Sequence, residues 1–585
     1  MGSELKNVEV LTSEAQIVDP SLQPPGWAIS VDRLLVVATA LLGVVHTWAG
    51  RYSMSPDGVS YIDVGRSFFA HEWSNAFNAY WSPLYAWILG TVLGLVHPSP
   101  NLEYPIAHLV NFGLFLATFV AFRFFLRSLM EYRGSLPTAG RTKTPDWVVI
   151  LIALPLFWWA CFEIIPLYEV GPDLAVSASV YLVTGFLLRA RDRSCLSDFL
   201  MMGFFLGVGY WVKAPFFLLS FVFLLVAYCW GYSSPAWRSG MRWAVIVFLL
   251  TSAPLVLALS LHKHRLTFGD SARLNYAWFV APQTFHRNWQ GREPGSGVPA
   301  HATQQVFKDP PAYAFVGPVV GTYPPWLDPS YWNEGLRPRF ALGPQIRALL
   351  TNLMTEASLV LRAQPALLTT VVLLFLLGGS ASVAALKHLW PLPVFALAAF
   401  AMYAPVHVEP RFLGGFVVLL FLSVLAASSF RATELRAVCY LAVVLLVVMS
   451  IEAADTAYRF TTLRLAVPGN GPVPATDHVV VADYLRALGL GSGDPVAVIG
   501  DGTGAYWASL AHLRIVGEVM GADHNALRFW ESPPQTRMAV LKAFQATGAK
   551  VVLAEGPPAS PQGWRQIADT RWYILPLTVV SDLPH

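Results

Sequence analysis

Charge is what this chain is short of. Only 13% of its 585 residues are Asp, Glu, Lys or Arg, where soluble domains carry roughly a quarter. At 55% hydrophobic residues and a mean hydropathy of +0.50, the chain reads as a polytopic membrane protein. A net charge of +3 with no basic stripe argues against a nucleic-acid partner. Cysteine is scarce too. Cys161, Cys195, Cys229 and Cys439 lie in or beside apolar runs without metal-ligand spacing, so they predict neither a zinc site nor a disulfide framework, only small core residues. The first thirty residues lack a cleavable signal pattern, and the first apolar segment is expected to remain as an anchor.

Apolar segments fall near 34–49, 84–97, 106–126, 147–165, 173–188, 198–212, 215–232, 243–261, 365–378, 389–404, 413–430 and 437–453. Basic clusters at Arg127–Lys143, Arg189–Arg193, Arg238/Arg242 and Arg431/Arg436 fix an orientation when all are placed inside. The segment 84–97, begun by Pro83 and closed by His97-Pro98, would reach only about 20 Å against a core of about 30 Å. It is therefore expected to be re-entrant or in-plane, leaving about eleven crossings. The predicted organisation is a cytoplasmic polar segment (1–33) and a membrane domain (34–261) whose loop 50–82 is outside. A large outer loop (262–364) with in-plane helices near 343–362, further membrane helices (365–453) and a soluble outer tail (466–585) follow. The tail alternates strand-like runs (496–499, 514–518, 550–554, 572–575) with helical patterns (479–488, 535–546), a small α/β domain.

This topology gathers the polar loops on one face. The stretch 51–87, RYSMSPDGVSYIDVGRSFFAHEWSNAFNAYWSPLYAW, carries Asp57, Asp63 and many aromatics. A carboxylate beside a forming oxocarbenium centre is a usual general base in glycosyl chemistry; Asp57 is the first candidate, the bland alternative being a helix cap. Asp63, six residues on, is weighted toward a cap but kept as a binding candidate. Between two membrane segments stand Glu163, Glu169 and, after Pro172, Asp173, costly unless they serve a site or face water. Glu169 and Asp173 are candidates for binding substrate or a divalent cation, with capping the alternative for Asp173. Lys213, in Tyr-Trp-Val-Lys213-Ala-Pro215, either snorkels or binds a lipid phosphate. Arg411, in Glu409-Pro-Arg411-Phe412, either pairs with Glu409 or binds phosphate. Trp73, Trp81 and Tyr85 offer faces for sugar stacking. The run Gly500-Asp-Gly502-Thr-Gly-Ala505 with the later Glu518 imitates a dinucleotide fingerprint, but its unit is short and its expected side is outside; no nucleotide cofactor is expected.

Taken together, Asp57 after the first helix, the Trp81-Ser-Pro83-Leu-Tyr85 corner, the turn ending Pro172-Asp173, Lys213-Ala-Pro215 and Glu409-Pro-Arg411-Phe412 resemble the GT-C superfamily of membrane glycosyltransferases. The nearest likeness is to the bacterial branch related to protein O-mannosyltransferases and aminoarabinose transferases, over about 50–430. Two positions depart from the pattern: Gly58 follows Asp57 where O-mannosyltransferases have an Asp-Glu pair, and Ser82 stands where bacterial relatives often have Pro. The resemblance implies a multi-pass protein of the bacterial inner membrane that moves a hexosyl or pentosyl group, with inversion, from a polyprenyl-phosphate donor to a glycan, lipid or protein acceptor at the periplasmic face. Asp57 would be the base and Asp173, with Glu169, the second acidic position. A lipid-linked sugar flippase and a surface-glycan polymerase or ligase are the alternatives. One expectation is testable directly. Tags in 98–104 should be labelled from outside; labelling only from the cytoplasm would make 84–97 a full crossing.

Overall fold

In the computed structural model, residues 26–577 are described, apart from 137–139, 282–287, 302, 316, 318, 333, 466–476, 522–524 and 558–560. Most of segment 1–33 thus lies outside the described residues. The membrane domain is built from apolar helices, of which seven among the described residues are long and apolar enough to span, such as Gly26–Gly50, Pro100–Gly134 and Asp173–Arg193. Two further pairs, Leu342–Leu361 with Pro365–Gly378 and Ser380–His388 with Pro391–Tyr403, are each bent by 74° and raise the number to nine if each counts as one span. Leu196–Val212 and Pro215–Gly231, 17 residues each, sit at the lower limit for spanning. With these, the helices account for about eleven segments without Pro83–Val96.

Pro83–Val96 instead packs alongside Pro56–Phe69 and parallel to it, with Tyr61 against Tyr85 and Phe69 against Gly94. The two helices meet backbone to backbone at Gly65 and Gly90, where a Cβ on either would strike a carbonyl oxygen of the other. Each is 14 residues long. Asp57 stands at the N-terminal end of this parallel pair, the end at which Trp81 packs on Tyr61. The following helix starts at Pro100 and touches the tail at once: Tyr104 donates to the Tyr506 carbonyl at 2.9 Å, and Glu103 pairs with His512 at 3.3 Å. Residues 103–104 therefore share a face with the tail.

The tail is the small α/β domain the alternation predicts, with strands Pro495–Gly500, Arg514–Met520, Val551–Glu555 and Trp572–Pro576 and helices Asp477–Ala487 and Pro534–Ala546. Pro495–Gly500 is central, parallel to both Arg514–Met520 and Val551–Glu555. The sheet has seven strands, because a hairpin from the long loop, Thr303–Lys308 with Pro311–Phe315, adds to its edge by pairing Tyr313 with Glu518. Loop and tail thus share one sheet, a link absent from the sequence reading. The cysteine expectation is corrected: all four are free, but only Cys161 is buried, while Cys195 and Cys229 are exposed. An exposed cysteine at a helix start or on an outward helix face has no core to fill.

The Gly65–Gly90 contact makes a prediction. Overpacking costs about 1–3 kcal/mol, so Gly90→Val should lower the thermal midpoint in detergent clearly. Gly113→Ala, where an added Cβ meets nothing within 4 Å, should stay within the roughly ±0.5 kcal/mol of a neutral change.

Candidate active site

Asp57 is in the first turn of Pro56–Phe69, but it is not the cap. Ser55 takes that role, its hydroxyl accepting from the Gly58 N–H at 3.2 Å. The carboxylate is left free to turn outward. Its Oδ2 accepts from Arg411 Nη2 at 2.7 Å and its Oδ1 from Trp326 Nε1 at 3.2 Å. Asp173 likewise opens a helix without capping it. It is buried, bonded to Lys213 Nζ at 2.5 Å and 3.9 Å from Arg411 Nη1. Lys213 reaches it because Leu196–Val212 ends there: the Lys213 backbone turns extended before Pro215 opens the next helix. The ammonium also lies 3.8 Å from the centre of the Phe412 ring.

Arg411 gathers the site. Besides Asp57 it binds Glu169 through Nη1 at 3.0 Å and Glu409 through Nε at 2.5 Å. Four acids from three separate stretches of chain thus meet one guanidinium, with Lys213 as the second cation. Burial pushes the Glu169 carboxyl up against the pull of Arg411, with Asp173, Glu409 and Asp57 adding to the rise. Burial works the same way on Glu409, but hydrogen bonds from His407 and Arg411 and the charges of Arg411 and Lys213 outweigh it and bring it down to about 2. Glu409 is thus a fixed negative partner for Arg411 across the working pH range. Burial, then Asp57 and Asp173, raise the Tyr61 phenol well above its usual range, so it remains a hydrogen-bond donor.

These groups open into a cavity of about 410 Å³. Asp57, Asp173, Lys213 and Arg411 mark its polar end; Tyr61, Tyr80, Trp81, Trp278, Trp326 and Trp332 wall it. The rings brace one another, with Trp326–Trp332 and Trp278–Trp332 centroids both 4.4 Å apart and Tyr80–Trp332 at 4.3 Å. The Trp326 carbonyl also accepts from Trp81 Nε1 at 3.1 Å, tying the long loop to the opening stretch.

Of the residues expected from sequence, Asp57, Asp173, Glu169, Lys213, Arg411 and Trp81 come together. Asp63, Trp73 and Tyr85 do not. Asp63 faces the other way, accepting from the Thr322 N–H at 2.7 Å and its hydroxyl at 3.1 Å and pairing with Arg66 at 3.1 Å. Burial raises its carboxyl, with Arg66 and Thr322 opposing; it is a strut between the helix Pro56–Phe69 and the long loop. Trp73 is half exposed and packs with Phe68, Phe77 and Trp87 outside the cavity. Tyr85 is buried behind Tyr61, its hydroxyl donating to Asn111 at 2.7 Å. Tyr61 and Trp326 were missed as site residues. Tyr61 was findable, one helical turn beyond Asp57 on the same face; Trp326 had no signal beyond its aromatic-rich loop. Among the described residues no group of three or more His, Cys, Asp and Glu is arranged to hold a metal. The acids of this site are instead engaged by Arg411 and Lys213.

The imitation fingerprint is filled by protein. The Tyr323 ring packs on Gly502, its hydroxyl donates to both Glu518 oxygens at 2.9 Å, and the helix after the glycines, Tyr506–Leu510, has only five residues.

Compared with known proteins, the chain matches no family model and no curated protein. Among solved structures it is similar to ArnT from Cupriavidus metallidurans in the apo state, with TM-score 0.50 and 14% identity over 95% of this chain and 100% of that one. It is also similar to the same protein bound to undecaprenyl phosphate, with TM-score 0.49 and 14% identity over 94% and 98% of the two chains. The chain shares its fold with ArnT. That fold is a helical membrane domain with a small sheet-bearing domain appended.

Proposed function

We propose that the protein is an integral-membrane glycosyltransferase that takes a sugar from a polyprenyl-phosphate donor and passes it to an acceptor at the periplasmic face, with inversion. The observation that carries the proposal is Asp57, held by Arg411 and Trp326 in an aromatic-walled cavity that Lys213 also lines. Aromatic faces suit the apolar faces of a sugar ring and the first units of a prenyl chain. Two cations less than one side chain apart, both on Asp173, suit a phosphate monoester.

The phosphate would enter by exchange. In the free protein Arg411 and Lys213 are occupied by carboxylates, and the four acids outnumber the two cations. A donor phosphate that takes over Arg411 and Lys213 frees Asp57 from its guanidinium and opens its Oδ2 to an acceptor hydroxyl. Binding of the donor would thereby prepare the base. The acceptor oxygen then attacks the anomeric carbon, the carbon–oxygen bond to phosphate breaks, its electron pair leaves with the prenyl phosphate, and the acceptor proton passes to Asp57. Burial also raises the proton affinity of Glu169, but Glu169 is paired with Arg411 and does not line the cavity. Asp173 would orient donor or acceptor hydroxyls.

Purified protein in detergent, given radiolabelled polyprenyl-phosphate sugars and membrane extract as acceptor, should transfer label. A flippase would not, since detergent leaves no second face. Asp57→Asn should lower the transfer rate by about 10²–10⁴ while donor binding persists. Transfer at the unaltered rate by this variant would remove Asp57 from the role of base.

A further inference from the structure

A second polar cluster lies away from the aromatic cavity, among helices that otherwise show apolar side chains. Three elements meet there. They are the end of the helix Asp146–Ile164, whose last turn Ala160–Ile164 is a π-helix, the hinge between Leu342–Leu361 and Pro365–Gly378, and the last membrane helix, Leu435–Leu465. Glu163, Gln364, Glu452 and Thr456 line one small cavity between them, with no basic side chain in its wall.

The hydrogen bonding there does not close. Thr456 donates its only hydroxyl proton to Glu163 Oε1 at 3.1 Å. Gln364 is 94% buried, being 6% exposed, and its Oε1 has no hydrogen-bond partner; Glu452 Oε2 is also buried without one. The atoms left over are acceptors. Buried acceptors without donors are destabilising by about 1–3 kcal/mol each, more when charged, and carboxylates within membrane helices are retained where they serve a site. Room amounts to about 10 Å³, that of one water or ion and not of a lipid headgroup.

We infer that Glu163, Glu452, the Gln364 carbonyl and the Thr456 hydroxyl oxygen form a site for one hard divalent cation. Two carboxylates balance its charge, and an all-oxygen ligand set of carboxylate, amide carbonyl and hydroxyl is that of Ca²⁺ or Mn²⁺ rather than of zinc. The cation would pin the 74° hinge to the helix that leads to the C-terminal domain. Its position is independent of the catalytic reading, and failure of either leaves the other standing.

The test uses the full chain, purified in detergent and stripped with a chelator, with Mn²⁺ as the probe. Electron paramagnetic resonance should count one bound Mn²⁺ per chain, displaced by Ca²⁺, and binding should raise the thermal midpoint. Glu163→Gln with Glu452→Gln should weaken binding at least tenfold, and Gln364→Leu, which keeps both acids, should weaken it measurably. Asp57→Asn with Glu169→Gln should change it less than twofold. The inference is overturned if no Mn²⁺ binds, which would point to a proton shared between Glu163 and Glu452, or if binding is lost in the Asp57/Glu169 variant and kept in the Glu163/Glu452 variant.

Discussion

The guanidinium of Arg411 is bonded to Asp57, Glu169 and Glu409, and a fourth acid, Asp173, lies 3.9 Å away. It joins the opening stretch, the second acidic turn and the entry to Pro410–Ala427. Each of these stretches follows or precedes an apolar helix, and each brings a carboxylate that alone would be expensive to bury. Around one planar cation with five donors they become compatible. Only Asp173 of this set is buried and the others are partly exposed, yet all sit at or near helix ends, so the site's geometry and the packing of the helix ends are the same problem.

A second ionic set does comparable work one layer out. Arg66 pairs with Asp63 and Glu103 and also donates to the Ser509 carbonyl at 3.1 Å, while Glu103 meets His512. The helix pair, the long helix and the C-terminal domain are thus joined through one ion-pair network. The hairpin of the long loop adds its strands to the C-terminal sheet, and Asp63 grips Thr322 in the same loop. Trp326 follows Thr322 by four residues and precedes Leu327, whose carbonyl accepts from Asn78 at 2.7 Å, so the loop that contacts Asp57 is held on both sides of the contact.

Much of this was legible because it is local. Apolar runs, prolines at helix starts and alternating strands mark the elements, although 34–49, 106–126, 243–261 and 437–453 stop several residues short of helices Gly26–Gly50, Pro100–Gly134, Pro235–His262 and Leu435–Leu465 at one end or both. The four charges at the ends of apolar runs, Asp57, Asp173, Lys213 and Arg411, stood out because membrane helices rarely carry any. What was illegible depends on contacts across long separations. Trp326 meets Asp57 from 269 residues away, and the pairing of Tyr313 with Glu518 joins two segments with no shared pattern. Asp63, Trp73 and Tyr85 were assigned to the site by proximity in sequence to Asp57. Helical geometry sends Asp63 elsewhere, since only residues three, four or seven apart share a helix face and Asp63 is six residues from Asp57; Trp73 and Tyr85 belong to other helices, Trp73–Ala76 and Pro83–Val96.

The central claim is that the two cations exchange carboxylate for phosphate. Electron cryomicroscopy of the protein with a polyprenyl phosphate tests it most directly. The account predicts phosphate oxygens within about 3 Å of both Arg411 and Lys213, with the Arg411–Asp57 pair opened. Lipid phosphate bound elsewhere, with that pair still closed, would contradict it.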